Sequence, residues 1–216
     1  MNSQLIVIIA VAIFMGWFAW GMIYNLRRGD ALLKWMQEGL PLIGERTSFR
    51  WLGSSVAEMS IARAKRPFQR LDTLLVLKPR DVFWMRIIAH FQGRDDMVIF
   101  RGYLGTTPLM DLELADPRTW SGRTAVRQAL ARGWEATDYR ELRLLAPKGL
   151  LELARTTLDR MAAPIQALSP RYVRLGLRKT APNLLIHVPF PDPRAADAKA
   201  YFEALSNLGR AIGERN

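Results

Sequence analysis

Residues 5–26 read LIVIIAVAIFMGWFAWGMIYNL, and this stretch decides how the rest of the chain is organised. It holds no charged side chain; the first in the sequence is Arg27. At about 1.5 Å per helical residue, roughly 20 residues cross the ~30 Å hydrocarbon layer of a bilayer. The strongly apolar residues between Leu5 and Ile23 each favour insertion by about 0.3–0.6 kcal/mol, roughly 3–6 kcal/mol together, with no charge in opposition. The expectation is a single membrane-spanning helix. A cleavable signal peptide would place basic residues before the apolar run and small residues after it. Here Met1-Asn2-Ser3-Gln4 has no Lys or Arg, and Trp17, Trp20 and Tyr24 occupy the far end. Those aromatics suit an interfacial belt, and Arg27-Arg28 follow at once. Because positive charge flanks only this side, the inside-positive rule puts residues 27 onward in the cytoplasm, at the inner membrane, and the N-terminus outside.

Half of the 216 residues are apolar and 24% are charged, a balance that fits a globular fold and argues against disorder. The net charge of +11 lies wholly beyond the apolar run, and residues 25–80, with eleven basic and five acidic side chains, are its most basic part. Such a segment attracts anionic lipid headgroups, at about 1 kcal/mol per Lys or Arg near the surface, or simply fixes topology. Nucleic acid is not an expected partner, for no reader motif or dense basic cluster is present. Cysteine is absent, which removes disulfides, thiol catalysis and Cys-based metal sites. Arginine outnumbers lysine by 25 to 6. Its planar fork suits phosphate and carboxylate groups, although codon bias produces the same excess.

Beyond the anchor (1–26), residues 27–46 form a juxtamembrane segment. Leu32, Leu33, Met36 and Leu40 recur at helical spacing beside Lys34 and Trp35, so this helix either lies along the headgroups or packs on the folded domain. Gly39, Pro41 and Gly44 are expected to break it. Residues 47–62 alternate with period two around a turn or bulge at Gly53-Ser54-Ser55, and 71–77 read as a strand buried on both faces. Asp81 is a candidate N-cap for a helix with Phe83, Trp84, Ile87, Ile88 and Phe91 on its stripe and Gly93 at its stop. Residues 97–104 and 109–115 read as a hairpin around Gly105-Thr106-Thr107-Pro108, with Asp111 and Glu113 on its wet face. A weaker helix spans 123–132. Residues 139–146 read as a strand, and a helix follows from Leu150 to Leu168 with a kink or end near Ala163, ahead of Pro164. A second hairpin, 172–178 with 184–190, precedes a last helix capped by Asp192-Pro193.

The two halves, 47–133 and 134–216, share a grammar. Gly102-x-x-x-Thr106-x-Pro108 matches Gly176-x-x-x-Thr180-x-Pro182, and Asp116-Pro117-Arg118 matches Asp192-Pro193-Arg194. These residues define an expected internal repeat of β-α-β-β-α units beginning at residue 68, against the plain alternative that short turn motifs coincide. The fold class expected is therefore α+β: one N-terminal transmembrane helix and a mixed sheet-and-helix cytoplasmic domain.

Chemistry is harder to find. His90 falls between apolar helix positions, His187 lies in a strand, and neither has a second ligand at metal-binding spacing. Asp95-Asp96 reads as a loop. No phosphate-binding glycine loop, dinucleotide fingerprint or nucleophile elbow occurs, so no catalytic, cofactor-binding or metal residue is assigned. The expected function is that of a membrane-anchored binding or assembly module, not an enzyme, whose partners are the bilayer and other membrane or cytoplasmic proteins. The alternative is a sensor of anionic lipid or a small ligand, and behind both stands a membrane-tethered enzyme whose carboxylates would be assembled from distant parts of the chain. The residues expected at the membrane interface are Trp17, Trp20, Tyr24, Arg27, Arg28, Lys34 and Trp35.

Overall fold

The computed structural model describes residues 3–213. Its longest element, α1 (Ser3–Ile43), is one continuous helix of 41 residues in which the apolar run and the juxtamembrane segment are joined without a break. Residues 3–20 are exposed, Trp17 alone being half-buried, whereas Leu32, Trp35, Met36, Leu40 and Ile43 are buried. Of the two placements open to the second segment, packing on the domain is the one observed. Gly39 does not stop the helix. Its missing side chain lets α1 approach the last helix so closely that a Cβ there would lie 2.4 Å from the Phe202 ring and 2.6 Å from the Ala198 carbonyl. Pro41 lies two residues before the end, and its own carbonyl accepts from Lys65 Nζ at 2.7 Å.

Nine strands form one antiparallel sheet: β1 (Thr47–Trp51), β2 (Val56–Ile61), β3 (Phe68–Val76), β4 (Met97–Leu104), β5 (Leu112–Ala115), β6 (Glu135–Tyr139), β7 (Leu142–Ala146), β8 (Arg174–Leu177) and β9 (Leu184–Pro189). Their spatial order is β1-β2-β3-β4-β9-β8-β5-β7-β6. Five helices accompany α1: α2 (Phe83–Phe91), α3 (Trp120–Ala131), α4 (Leu151–Arg160), α5 (Ala162–Leu168) and α6 (Ala198–Gly213). The molecule is α+β. The second half of α1 joins α4, α5 and α6 in a shared apolar core against one face of the sheet, and α3 covers β5, β7 and β8 on the other.

Several local readings hold. Gly53, with φ +137, turns β1 into β2; the helix over Leu150–Leu168 divides at Met161; and Tyr201, Phe202, Leu205, Leu208 and Ile212 are the buried stripe of α6. Others do not. Asp81 does not cap α2 but accepts from Ser54 Oγ at 2.5 Å. Asp116-Pro117 and Asp192-Pro193 do not open their helices directly. In each, the Asp Oδ1 accepts from the arginine N–H two residues on, forming a turn that precedes the helix. The caps are Thr119, which accepts from Gly122 N, and Asp197, which accepts from Lys199 N.

The larger correction concerns pairing. Residues 97–104 and 109–115 are not a hairpin: β4 lies between β3 and β9, and β5 between β8 and β7. Glu113 is not on a wet face. It is 1% exposed and bonded to Arg174 and Arg178, so β5 is an interior strand whose outward face is also covered. Strands β8 and β9, from the second half, thus sit between β4 and β5 from the first. The element orders differ, β3-α2-β4-β5-α3 against β6-β7-α4-α5-β8-β9-α6, and so do the matched glycines: Gly102 faces the Phe68 ring in the core and Gly176 faces the Glu113 carboxylate on the opposite side.

Candidate functional site

The β3–β4 connection carries α2 past the end of the sheet and back, so Lys78-Pro79-Arg80 and Asp95-Asp96, 15 or more residues apart in sequence, meet at its base. Asp96, with its side chain 6% exposed, is the centre of this knot. Arg80 grips it with both terminal nitrogens, at 3.0 Å to Oδ1 and 2.8 Å to Oδ2, and Lys78 N–H donates to Oδ1 at 2.8 Å. Arg28, arriving on α1, brings Nε to 2.8 Å from Oδ2. Burial alone would raise the Asp96 pKa. The Arg80 and Lys78 hydrogen bonds, with the charges of Arg80 and Arg28, outweigh it and hold the carboxyl below the ordinary range.

Asn25 completes the junction. Fully buried at the end of the apolar run, it donates to the Lys78 carbonyl at 3.0 Å and accepts from Arg80 at 3.0 Å. Beside it, a Cβ on Gly21 would lie 2.3 Å from the Arg80 carbonyl, so only glycine admits this approach. Helix α1 is therefore fastened to the domain by buried polar bonds where it leaves its apolar run.

On the N-terminal side of that fastening, α2 packs along α1. Trp84 stacks on Phe14 at 5.8 Å, Phe83 meets Trp17 edge-on at 5.4 Å, and the Arg86 guanidinium lies over the Trp17 ring. Apart from the buried Ala89, the rest of α2 is uncovered: Met85, Ile87, Ile88 and Phe91 are exposed, Phe91 at 83%. An apolar surface of this kind, flush with the uncovered apolar part of α1, is too concentrated to be ordinary solvent-facing scatter.

Two cavities flank Arg28, whose guanidinium lies over the Phe190 ring at 5.0 Å. One, of about 320 Å³, is ringed by Arg28, Lys78, Arg80, Arg94 and Arg171 with Asp95 and Asp96 as its carboxylates. Arg94 rests on Trp120 at 4.2 Å and has a buried Nε without a hydrogen-bond partner. Deep in this cleft Ser121 Oγ is 2.9 Å from His187 Nδ1. Burial, then the charges of Arg174 and Arg101, push that imidazole down to about 3, so His187 is neutral at physiological pH and not tuned for general-base work. The second cavity, about 730 Å³, runs along α1 from Trp20, Ile23 and Tyr24 to Arg27, Arg28 and Arg194.

Of the residues expected at an interface, Trp20, Tyr24, Arg27 and Arg28 line this second cavity, whereas Trp17 packs against Phe83 and Arg86 of α2. Trp20 and Tyr24 are partly exposed, and Arg80 lies over the Tyr24 ring. Lys34 is exposed further along α1. Trp35 belongs to the core instead, against Tyr201 and Phe202, with its Nε1 donating to the Ala196 carbonyl at 2.6 Å. Trp35 is therefore not available to headgroups. The repeat residues form no common site: Gly102 and Gly176 lie within β4 and β8, and the others lie in the connections that follow the strands. His90 is exposed on α2 beside Phe91, and among the described residues no three His, Cys, Asp or Glu side chains group as a metal site would require. Asn25, Arg80, Asp96, Arg94 and Arg194 were not visible as functional residues. The available signal was a polar Asn within an apolar run, and a basic and an acidic pair at the two ends of one helical excursion.

No protein-family model matches the chain, and no curated protein is significantly similar to it.

Proposed function

We propose that this protein is a single-pass membrane protein, with its N-terminus outside and its domain at the inner leaflet, that works by binding at the membrane surface. The observation carrying this reading is the alignment of α2 with α1. Phe14 precedes Tyr24 by ten residues, about 15 Å along the helix, and about half the thickness of the hydrocarbon layer. If Tyr24 marks the interface, α2 reaches into the same leaflet and the domain is seated at two points rather than swinging on a tether. The Asp96 knot makes that seat rigid and sets the basic cleft at headgroup depth. Recognition of anionic headgroups or phosphate-bearing ligands is then the activity the charge distribution fits best.

A second reading, assembly with another protein, draws on a different place. The edge strand β1 exposes Phe49, next to a groove lined by Leu33, Leu40 and Met59. An open edge of this kind accepts a partner strand.

The two-point seat is testable because the natural chain has no cysteine. Single cysteines at Ile9, Ile88 and Leu153, each carrying a nitroxide, would be compared in the full chain reconstituted into proteoliposomes. Ile9 and Ile88 should be accessible to oxygen and shielded from a water-soluble nickel chelate, with Leu153 showing the reverse. A lipid-facing Ile9 with a water-facing Ile88 removes the seat; a water-facing Ile9 removes the anchor.

A further inference from the structure

The groove along α1 has a chemical gradient matched to one kind of molecule. Its end toward the apolar run is walled by Trp20, Ile23 and Tyr24; its other end carries Arg27, Arg28 and Arg194. From Trp20 to Arg27 is seven residues, about 10 Å along the helix. The far wall comes from the β9–α6 connection, where Phe190 lies under the Arg28 guanidinium and the Asp192-Pro193-Arg194 turn sets Arg194 on the rim.

Charge is unbalanced here. Arg28 is committed to Asp96, but among the described residues neither Arg27 nor Arg194 has a carboxylate within ion-pair distance. The single acidic residue on the groove, Asp192, already accepts the Arg194 backbone N–H at 3.0 Å. Two uncommitted guanidinium groups, exposed at the mouth of a groove whose inner wall is aromatic and aliphatic, call for an anion with an apolar tail.

We propose that this groove is a binding site for a single anionic glycerophospholipid, its phosphate between Arg27 and Arg194 and one acyl chain along Trp20 and Ile23. The site deepens the proposed membrane-surface function and rests on it, because only a spanning α1 brings Trp20 and Ile23 to acyl-chain depth. A free phosphate would use the arginines but not the apolar wall. The Asp-Pro-Arg turn thereby gains a role as the element that carries the second arginine to the lipid.

The test uses the full chain in mild detergent, offered equimolar phosphatidylglycerol and phosphatidylcholine, with retained lipid counted by native mass spectrometry. Phosphatidylglycerol should be retained over phosphatidylcholine by roughly tenfold or more, given that each basic residue near an anionic headgroup contributes measurably. In the double variant Arg27→Gln/Arg194→Gln the preference should fall to near parity. Because both side chains are exposed and without ion pairs, the thermal midpoint measured in detergent without added lipid should not move. The control Arg132→Gln/Arg210→Gln, equal in charge but distant in sequence and element, should keep the preference. Equal retention of both lipids by the natural chain, or an unchanged preference in the Arg27/Arg194 variant, overturns the site. The Ile9 nitroxide separates the two levels: lipid-facing Ile9 with no lipid preference removes the groove proposal alone, whereas water-facing Ile9 removes the reading beneath it.

Discussion

Asp96→Asn removes the charge at the centre of the knot joining α1 to the sheet while nearly preserving its shape. In the natural chain the carboxylate takes two bonds from Arg80, one from Lys78 N–H, and the Arg28 ion pair. Stripping one partner from a buried pair typically costs about 3–5 kcal/mol, since the remaining charge stays desolvated. Here Arg80 is 15% exposed but Arg28 is 40% exposed and recovers water, and Asn keeps one acceptor. The expected loss is therefore below that range, about 2–3 kcal/mol. For a chain of this size each kcal/mol moves the thermal midpoint by about 2–4 °C, giving a drop of about 4–12 °C for the full chain in mild detergent at pH 7. The pH dependence fixes the cause. Since folding depresses the Asp96 pKa, its contribution is present above the unfolded value of about 3.9 and is lost as pH falls through the lower folded value. The gap between natural and variant chains should stay constant from pH 8 to about 5 and close only below about 4. Combining the change with Arg80→Gln should cost less than the sum of the two. A drop under about 2 °C at pH 7, or additive single changes, would show that the knot does not couple α1 to the domain.

Two further outcomes follow from the same geometry. Gly21→Ala should cost about 1–3 kcal/mol by forcing α1 off the Arg80 carbonyl, whereas Gly16→Ala, with nothing within 4 Å of its Cβ, should leave the midpoint unchanged or slightly raised. Equal effects at the two glycines would mean that close approach at Gly21 is not what the fold requires. For His187 the folded pKa, about 3, is depressed below the ordinary 6.5. Its stabilising contribution is thus fully present above about 6.5 and drains as pH falls toward 3, by about 2 kcal/mol between 6.5 and 5. His187→Gln should flatten that part of the stability profile, and an imidazole NMR signal titrating near 6.5 in the folded chain would contradict the buried, neutral state.

The apolar run, the strand alternation and most helix stops were legible in the sequence because they are local. A charge-free stretch of 22 residues is long and apolar enough to cross a membrane, period two declares which side chains share a face, and Gly53, Gly93 and Gly133 sit where the chain must turn with positive φ. Alternation names the buried face of a strand and not its neighbour. Thus β4 and β5 looked like a hairpin, and only the packed core placed β8 and β9 between them. The same limit hid Glu113, whose arginine partners lie more than 60 residues away. Gly39 and Pro41 resembled helix stops because the close approach of Phe202 and Ala198, which turns Gly39 into a contact, is a property of two distant segments meeting. The arginine-lined groove along α1 was decided in the same way. Sequence placed Arg27 and Arg28 after the apolar helix, but the folding of a helical excursion and a β9–α6 turn against α1 brought Arg80, Asp96 and Arg194 beside them. Local composition determines which solvent each segment seeks; which charges share a site depends on long-range packing.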